Sequence, residues 1–262
     1  MPLIKEYILI SSVLFALACP ARAAEEKWLT TGSRHFLIYY RQAPEGLLER
    51  VVRQSEEYYA RITEELGFTR YNFWLGDNRA RIYIFDSAEE YKKNCGQPAW
   101  SYGCVFIPEK KICSFSQGWD DFSSVLSHEI GHIILHECLG MEKESLPLWL
   151  DEGVACYAEN PAKCREAAVF LKASYRKGKF LGFDQLAFFI PAAASDEAVR
   201  LFYAESSSIV GYLFGEFGRD NFVYFCEEFK RSRDFNRALR SAYGFADCGE
   251  LDKGWRRYLD IL

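Results

Sequence analysis

Apolar residues recur at two different spacings along this chain, and the spacing changes near residue 119. Before that point, two short runs rich in β-branched and aromatic side chains predict strands: His35-Phe36-Leu37-Ile38-Tyr39-Tyr40 and Arg81-Ile82-Tyr83-Ile84-Phe85. An amphipathic pattern from Glu45 to Leu66 lies between them, giving a strand, helix, strand unit. Trp100 to Ile107 and Lys111 to Phe115, separated by Pro108-Glu109-Lys110, predict a hairpin. From Asp120 onward the spacing is almost wholly helical. Phe122, Val125, Leu126, Ile130, Ile133 and Ile134 fall at helical intervals, Asp120 and Asp121 are candidate N-caps, and Gly140 is a candidate stop. Further helices are predicted over 147–159, 162–176, 196–217, 220–231, 234–243 and 248–260, with Gly, Pro or Asn at most junctions. The expected fold class is α+β: a small mixed β-sheet lobe over 24–118 packed on a mainly helical lobe over 119–262, without repeats or low-complexity linkers.

Composition changes this picture in three ways. Apolar residues make up 49% of the chain and aromatic residues 16%, enough for a large buried core in one two-lobed domain. Residues 1–23 have the form of a secretory signal, with Lys5 near the start, an apolar run from Tyr7 to Ala18, and Ala21-Arg22-Ala23 as a small-residue cleavage site. That run is short for a transmembrane helix, and no later segment reaches spanning length, so an exported periplasmic or extracellular protein without a transmembrane segment is expected. Lipoprotein anchoring through Cys19 is the alternative, although Leu17 fits the usual small residue poorly. The chain carries 32 Lys+Arg against 37 Asp+Glu, and loss of the leader leaves a net charge of −6 with no basic stripe, which argues against a nucleic-acid partner.

Eight cysteines follow the leader, at 95, 104, 113, 138, 156, 164, 226 and 248. An even number in an exported chain predicts disulfides, and none of the spacings is the Cys-x-x-Cys of a thiolate zinc site. Local pairing would join Cys156 with Cys164 and Cys226 with Cys248. The other four would then tie the 95–113 region to itself and to Cys138.

The candidate chemistry centres on His128-Glu129-Ile130-Gly131-His132. Residues four apart share a helix face, so two imidazole nitrogens can meet one metal ion at about 2.0–2.1 Å, with Glu129 beside the open side as a general base toward metal-bound water. A second helix begins after Pro147 and carries Glu152, with nineteen residues between His132 and that glutamate. This spacing lets the first helix end, the chain turn, and the second helix bring its carboxylate beside the two histidines. His136 continues the stripe, but ligands at three successive turns would span about 12 Å of helix axis, so it is expected to pack against the site or support it from outside. His35, on a strand, is expected to be structural.

This constellation resembles the gluzincin metallopeptidases, whose ligands are two HExxH histidines and a downstream glutamate. The Trp149-Leu150-x-Glu152-Gly153 wording is most similar to the peptidase MA-like family. The resemblance implies a zincin-like fold with the active helix at the lobe boundary, a Zn2+ ion on His128, His132 and Glu152, a peptide or protein substrate, and Glu129 as catalytic base. Tyr203-Ala204-Glu205-Ser206 followed by Gly211-Tyr212-Leu213 resembles a segment found after the metal helices in such proteins, which makes Tyr203 the candidate oxyanion stabiliser, with a packed helical tyrosine as the competing role. Tyr102 to Phe106 is the candidate edge strand for adding a substrate strand, against an ordinary edge strand. Two departures from the family pattern matter. Cys156 stands where thermolysin-like relatives place an acidic residue, which leaves Asp151, Glu159 or a backbone carbonyl to orient a histidine. The glycine-rich motif of gluzincin aminopeptidases is missing, which favours an endopeptidase. The alternative function is a zinc-stabilised binding or assembly factor of the envelope without turnover.

Overall fold

The computed structural model describes residues 27–71, 74–96, 101–140, 146–159 and 161–261. The expected leader, Cys19 and Trp100 lie outside the described residues. A five-stranded mixed sheet, β1 (Leu29–Gly32), β2 (Phe36–Tyr40), β3 (Ala80–Phe85), β4 (Gly103–Phe106) and β5 (Lys111–Phe115), runs in the order β1-β2-β3-β5-β4. The β2 and β3 strands are parallel, as a strand, helix, strand unit demands, and α1 (Leu47–Glu65) makes the crossover. The predicted hairpin is the antiparallel pair β4 and β5, and β4 forms an edge of the sheet.

Period-two alternation gives the sheet two buried faces. Ile82, Ile84 and Ile112 face α1 and α3 (Trp119–Leu139), in the main core. Tyr83, Phe85, Cys113 and Phe115 point the other way, into a smaller cluster under α2 (Ala88–Cys95). The sequence pattern misses β1 and α2. Leu29 is half-exposed and the strand has no buried residue, so no alternation marks it. The α2 helix is two turns long, and its stronger signal is the cap, where Ser87 Oγ accepts the Glu90 N–H at 3.2 Å.

The helical part is α3, α4 (Leu148–Tyr157), α5 (Pro161–Tyr175), α6 (Phe183–Ala187), α7 (Asp196–Ser232), α8 (Phe235–Tyr243) and α9 (Cys248–Ile261). The two helices expected over 196–217 and 220–231 are the limbs of α7, broken at Gly218 with φ 80 and ψ 170. The expected caps of α3 need correction. The helix starts at Trp119 after Gly118, so Asp120 and Asp121 lie inside its first turn, where their charge opposes the positive helix end without capping it. Gly140 ends α3 in the left-handed conformation, as expected.

Two glycines beside the predicted site residues let three helices pack closely. A Cβ on Gly131 would lie 3.1 Å from Ala158 Cβ and 3.2 Å from Ala155 Cα, and one on Gly153 would lie 2.6 Å from the Ser206 carbonyl oxygen. A helical glycine costs about 1 kcal/mol against alanine, and here that cost permits α3, α4 and α7 to approach backbone to backbone. Among the described residues no helix is long and apolar enough to cross a membrane.

No disulfide joins the described cysteines, and the expected local pairs do not form. Cys226, on α7, packs beside Cys138 on α3 rather than beside Cys248. The Cys164 thiol donates to the Cys156 carbonyl oxygen at 3.4 Å. The α3–α7 contact made the first neighbour, a relation sequence distance does not carry.

Candidate active site

The α3 helix holds His128 and His132 one turn apart, and α4 lies across it so that Glu152 meets both rings. His132 Nε2 is 3.1 Å from His128 Nε2, and Glu152 Oε2 is 3.3 Å from the first of these rings' facing nitrogens (His128) and 3.6 Å from the second (His132). A tetrahedral ion with ligands at about 2.0–2.1 Å sets its donor atoms about 3.3–3.4 Å apart, so this triangle already has the dimensions of a zinc face. Glu152 Oε2 is moreover buried without a hydrogen-bond partner among the described residues. An orphaned carboxylate oxygen between two imidazoles fits a cation.

The outward nitrogens of both rings are held by carboxylates. His132 Nδ1 lies 2.6 Å from Asp151 Oδ1, and His128 Nδ1 lies 2.9 Å from Glu159 Oε1. A ring that donates Nδ1–H to a carboxylate presents a bare Nε2, the tautomer a metal requires. Asp151 and Glu159, both considered for this role from the sequence, therefore each orient one histidine. His136 adds a third link, its Nε2 lying 3.0 Å from Asp151 Oδ2, which places it outside the ligand triangle but inside the supporting network. His128 Nδ1 also lies 3.9 Å from Cys156 Sγ, and His128, Cys156 and Glu159 form a second grouping of possible ligands. That grouping uses the ring's other nitrogen, so a proton on Nδ1 excludes it while favouring the first.

The electrostatics follow from this crowding. Burial opposes charge on His132, but the hydrogen bond to Asp151 and the adjacent Glu152 carboxylate win and hold its pKa up at about 9. Burial likewise pushes Glu152 upward, and the two histidines outweigh it and hold the carboxyl below its ordinary value. Three carboxylates around two imidazoles leave an excess of negative charge that a divalent ion would offset. Glu129 differs. Burial pushes its pKa up, only partly countered by the neighbouring histidines, as suits a group that takes and returns a proton.

A cleft of about 760 Å³ opens onto this site, bounded by Tyr102 and Gly103 at the sheet edge, by His128 and Glu129 on α3, and by Tyr203 on α7. Burial, together with the nearby Glu152 charge, raises the Tyr203 pKa to about 12, so its hydroxyl keeps its proton and can donate. The structure thus brings all five residues singled out from the sequence, His128, Glu129, His132, Glu152 and Tyr203, to one place. His35 stands apart: its Nδ1 is 2.6 Å from Glu56 Oε2 and its ring stacks on Tyr59, tying β2 to α1. The sequence reading missed Phe170 and Arg200 on the cleft wall, because the face that α5 and α7 turn toward the cleft is set by helix packing.

A helix-borne pair of histidines joined by a glutamate from the next helix, under an open cleft, is a group that could hold a metal ion. The family model of the peptidase MA superfamily matches residues 77–261, well over half of the chain, and the chain belongs to that superfamily. Among solved structures, the M1 zinc metallopeptidase from Deinococcus radiodurans aligns at 13% identity with a TM-score of 0.48, over 89% of this chain and 51% of that chain. The chain therefore spans about half the length of that neighbour. No curated protein matches it.

Proposed function

We propose that this protein is an exported, zinc-dependent endopeptidase, built as one domain over 24–262, in which Glu129 is the general base and Tyr203 the oxyanion donor. The observation that carries the reading is the ligand triangle of 3.1, 3.3 and 3.6 Å with a carboxylate behind each histidine. His128, His132 and Glu152 would hold the ion, and Asp151 and Glu159 would fix the imidazole tautomers. Zinc held there would supply a Lewis acid able to make water more acidic. The Glu129 carboxylate accepts the proton of the attacking water and returns it to the leaving amine. The Tyr203 hydroxyl donates to the developing oxyanion. Among the described residues β4 forms an edge of the sheet beside the cleft, where an extended peptide could add as a strand, and a cleft of about 760 Å³ leaves room for a peptide. The sequence of residues 1–23 supports export. In an oxidising compartment Cys138 and Cys226, neighbours across α3 and α7, are one candidate disulfide pair.

The decisive experiment is Glu129→Gln, assayed on an unstructured protein substrate with zinc content measured in parallel. Zinc and fold should persist while hydrolysis drops by more than ~100-fold, the scale of acid–base catalysis. Biological activity unchanged in a zinc-loaded Glu129→Gln protein would overturn the peptidase reading in favour of a zinc-stabilised assembly factor.

A further inference from the structure

A second group of metal-ligating side chains lies on the opposite face of the sheet. Cys104 on β4 and Cys113 on β5 stand directly across from one another in the antiparallel register, and Cys95 arrives from the last turn of α2. Their three sulfurs all lie within 4.8 Å of one another. The pocket around them is apolar: Phe85, Tyr91 and Phe115 pack with the trio, and Trp28 and Phe106 close it. Cys113 is fully buried and Cys95 nearly so.

We propose that Cys95, Cys104 and Cys113 form a second metal site, which takes a thiophilic divalent d10 cation such as zinc as a three-thiolate complex. Metal–sulfur bonds of about 2.3 Å place sulfurs about 3.8–4.0 Å apart in tetrahedral or trigonal geometry, within the spacing observed. A disulfide would use only two of the sulfurs and would strand the third as an odd thiol in an apolar pocket. Binding exchanges three S–H protons for one cation, so three thiolates and a dication carry a single negative charge. The Lys111 ammonium, poised 4.9 Å over the Tyr83 ring and 5.1 Å over Phe106, lies within electrostatic reach of the Cys95 sulfur and balances that charge. The Tyr91 hydroxyl, 2.8 Å from Ser101 Oγ, lies beside Cys104 and packs with the trio. Such a site would anchor α2 to the two strands that end the sheet and so steady β4, whose Tyr102–Gly103 end borders the cleft. The argument stands independently of the peptidase reading.

The test uses the reduced mature chain titrated with Cd2+, following ions bound per chain and the ultraviolet thiolate-to-metal absorption. The absorption should appear, persist in the His128→Ala/His132→Ala protein and in Cys226→Ser, and be lost in Cys104→Ser, together with one bound ion per chain. Cys95→Ser repeats the measurement in case one variant fails to fold. Absence of the absorption in folded reduced protein would overturn the proposal. So would absorption that survives both Cys104→Ser and Cys95→Ser, or a disulfide within the trio in protein isolated without reductant.

Discussion

The two groups of metal-ligating residues lie on opposite faces of one sheet and solve the same problem differently. At His128, His132 and Glu152 the ligands are nitrogen and carboxylate, and two further carboxylates, Asp151 and Glu159, back the rings. At Cys95, Cys104 and Cys113 the shell is aromatic, and its charged neighbour is a lysine. The first leaves Glu129 and an open cleft beside the ligands, as turnover needs, and the second is enclosed, as a structural site is. Burial of donor atoms alone does not distinguish a catalytic from a structural centre. Access and a proton acceptor do.

That contrast can be broken by substitution. Tyr203→Phe removes a cleft hydroxyl without touching either ligand set, and kcat should fall by about 100-fold with zinc content unchanged, the usual effect of losing one oxyanion donor. A kcat within a factor of two of the parent protein would return Tyr203 to a packing role. Asp151→Asn should weaken zinc binding at the histidine site by about 10–100-fold, because Asp151 orients His132 and holds His136 as well. Competition with a chelator measures this, and the same change should leave the thiol site's Cd2+ absorption intact. Equal loss at both centres would mean that Asp151 acts through global stability.

A smaller effect separates buried charge that serves a site from buried charge that does not. Glu205, two residues after Tyr203 and fully buried, accepts the Leu181 N–H at 2.7 Å, and burial raises its pKa to about 8. In the unfolded chain it ionises near its ordinary value of 4.5, so folding holds a proton the unfolded chain has lost. Its favourable contribution is complete below pH 4.5 and fades as the pH rises through about 8. Glu205→Gln keeps the hydrogen bond to Leu181 and removes that dependence. Unfolding free energies from denaturant titration should match the parent at pH 4 and exceed it at pH 8.5 by on the order of 1–2 kcal/mol, less than the whole shift because a buried carboxylate relaxes and admits water. Parallel pH profiles for the two proteins would contradict the account.

The histidine site was legible because its spacing is local. His128, Glu129 and His132 share a helix face by the 3.6-residue turn, and apolar periodicity predicts that helix without knowledge of its neighbours. The β2–α1–β3 unit, the hairpin and most helices were legible for the same reason. Glu152 joined the ligand set through family resemblance, and only the close passage of α3, α4 and α7 at Gly131 and Gly153 gives it a physical cause. His136 was excluded as a ligand by helix geometry, while its bond to Asp151 needed the second helix in place. The cysteines mark the limit. Sequence distance suggested Cys226 with Cys248, whereas helix packing set it beside Cys138, and the Cys95–Cys104–Cys113 trio exists only because β4 and β5 pair in one register under α2. Periodicity fixes which face of its own element a residue occupies, so the sequence alone determined the helix that carries His128 and His132. What that face meets depends on long-range packing, and that decided the rest.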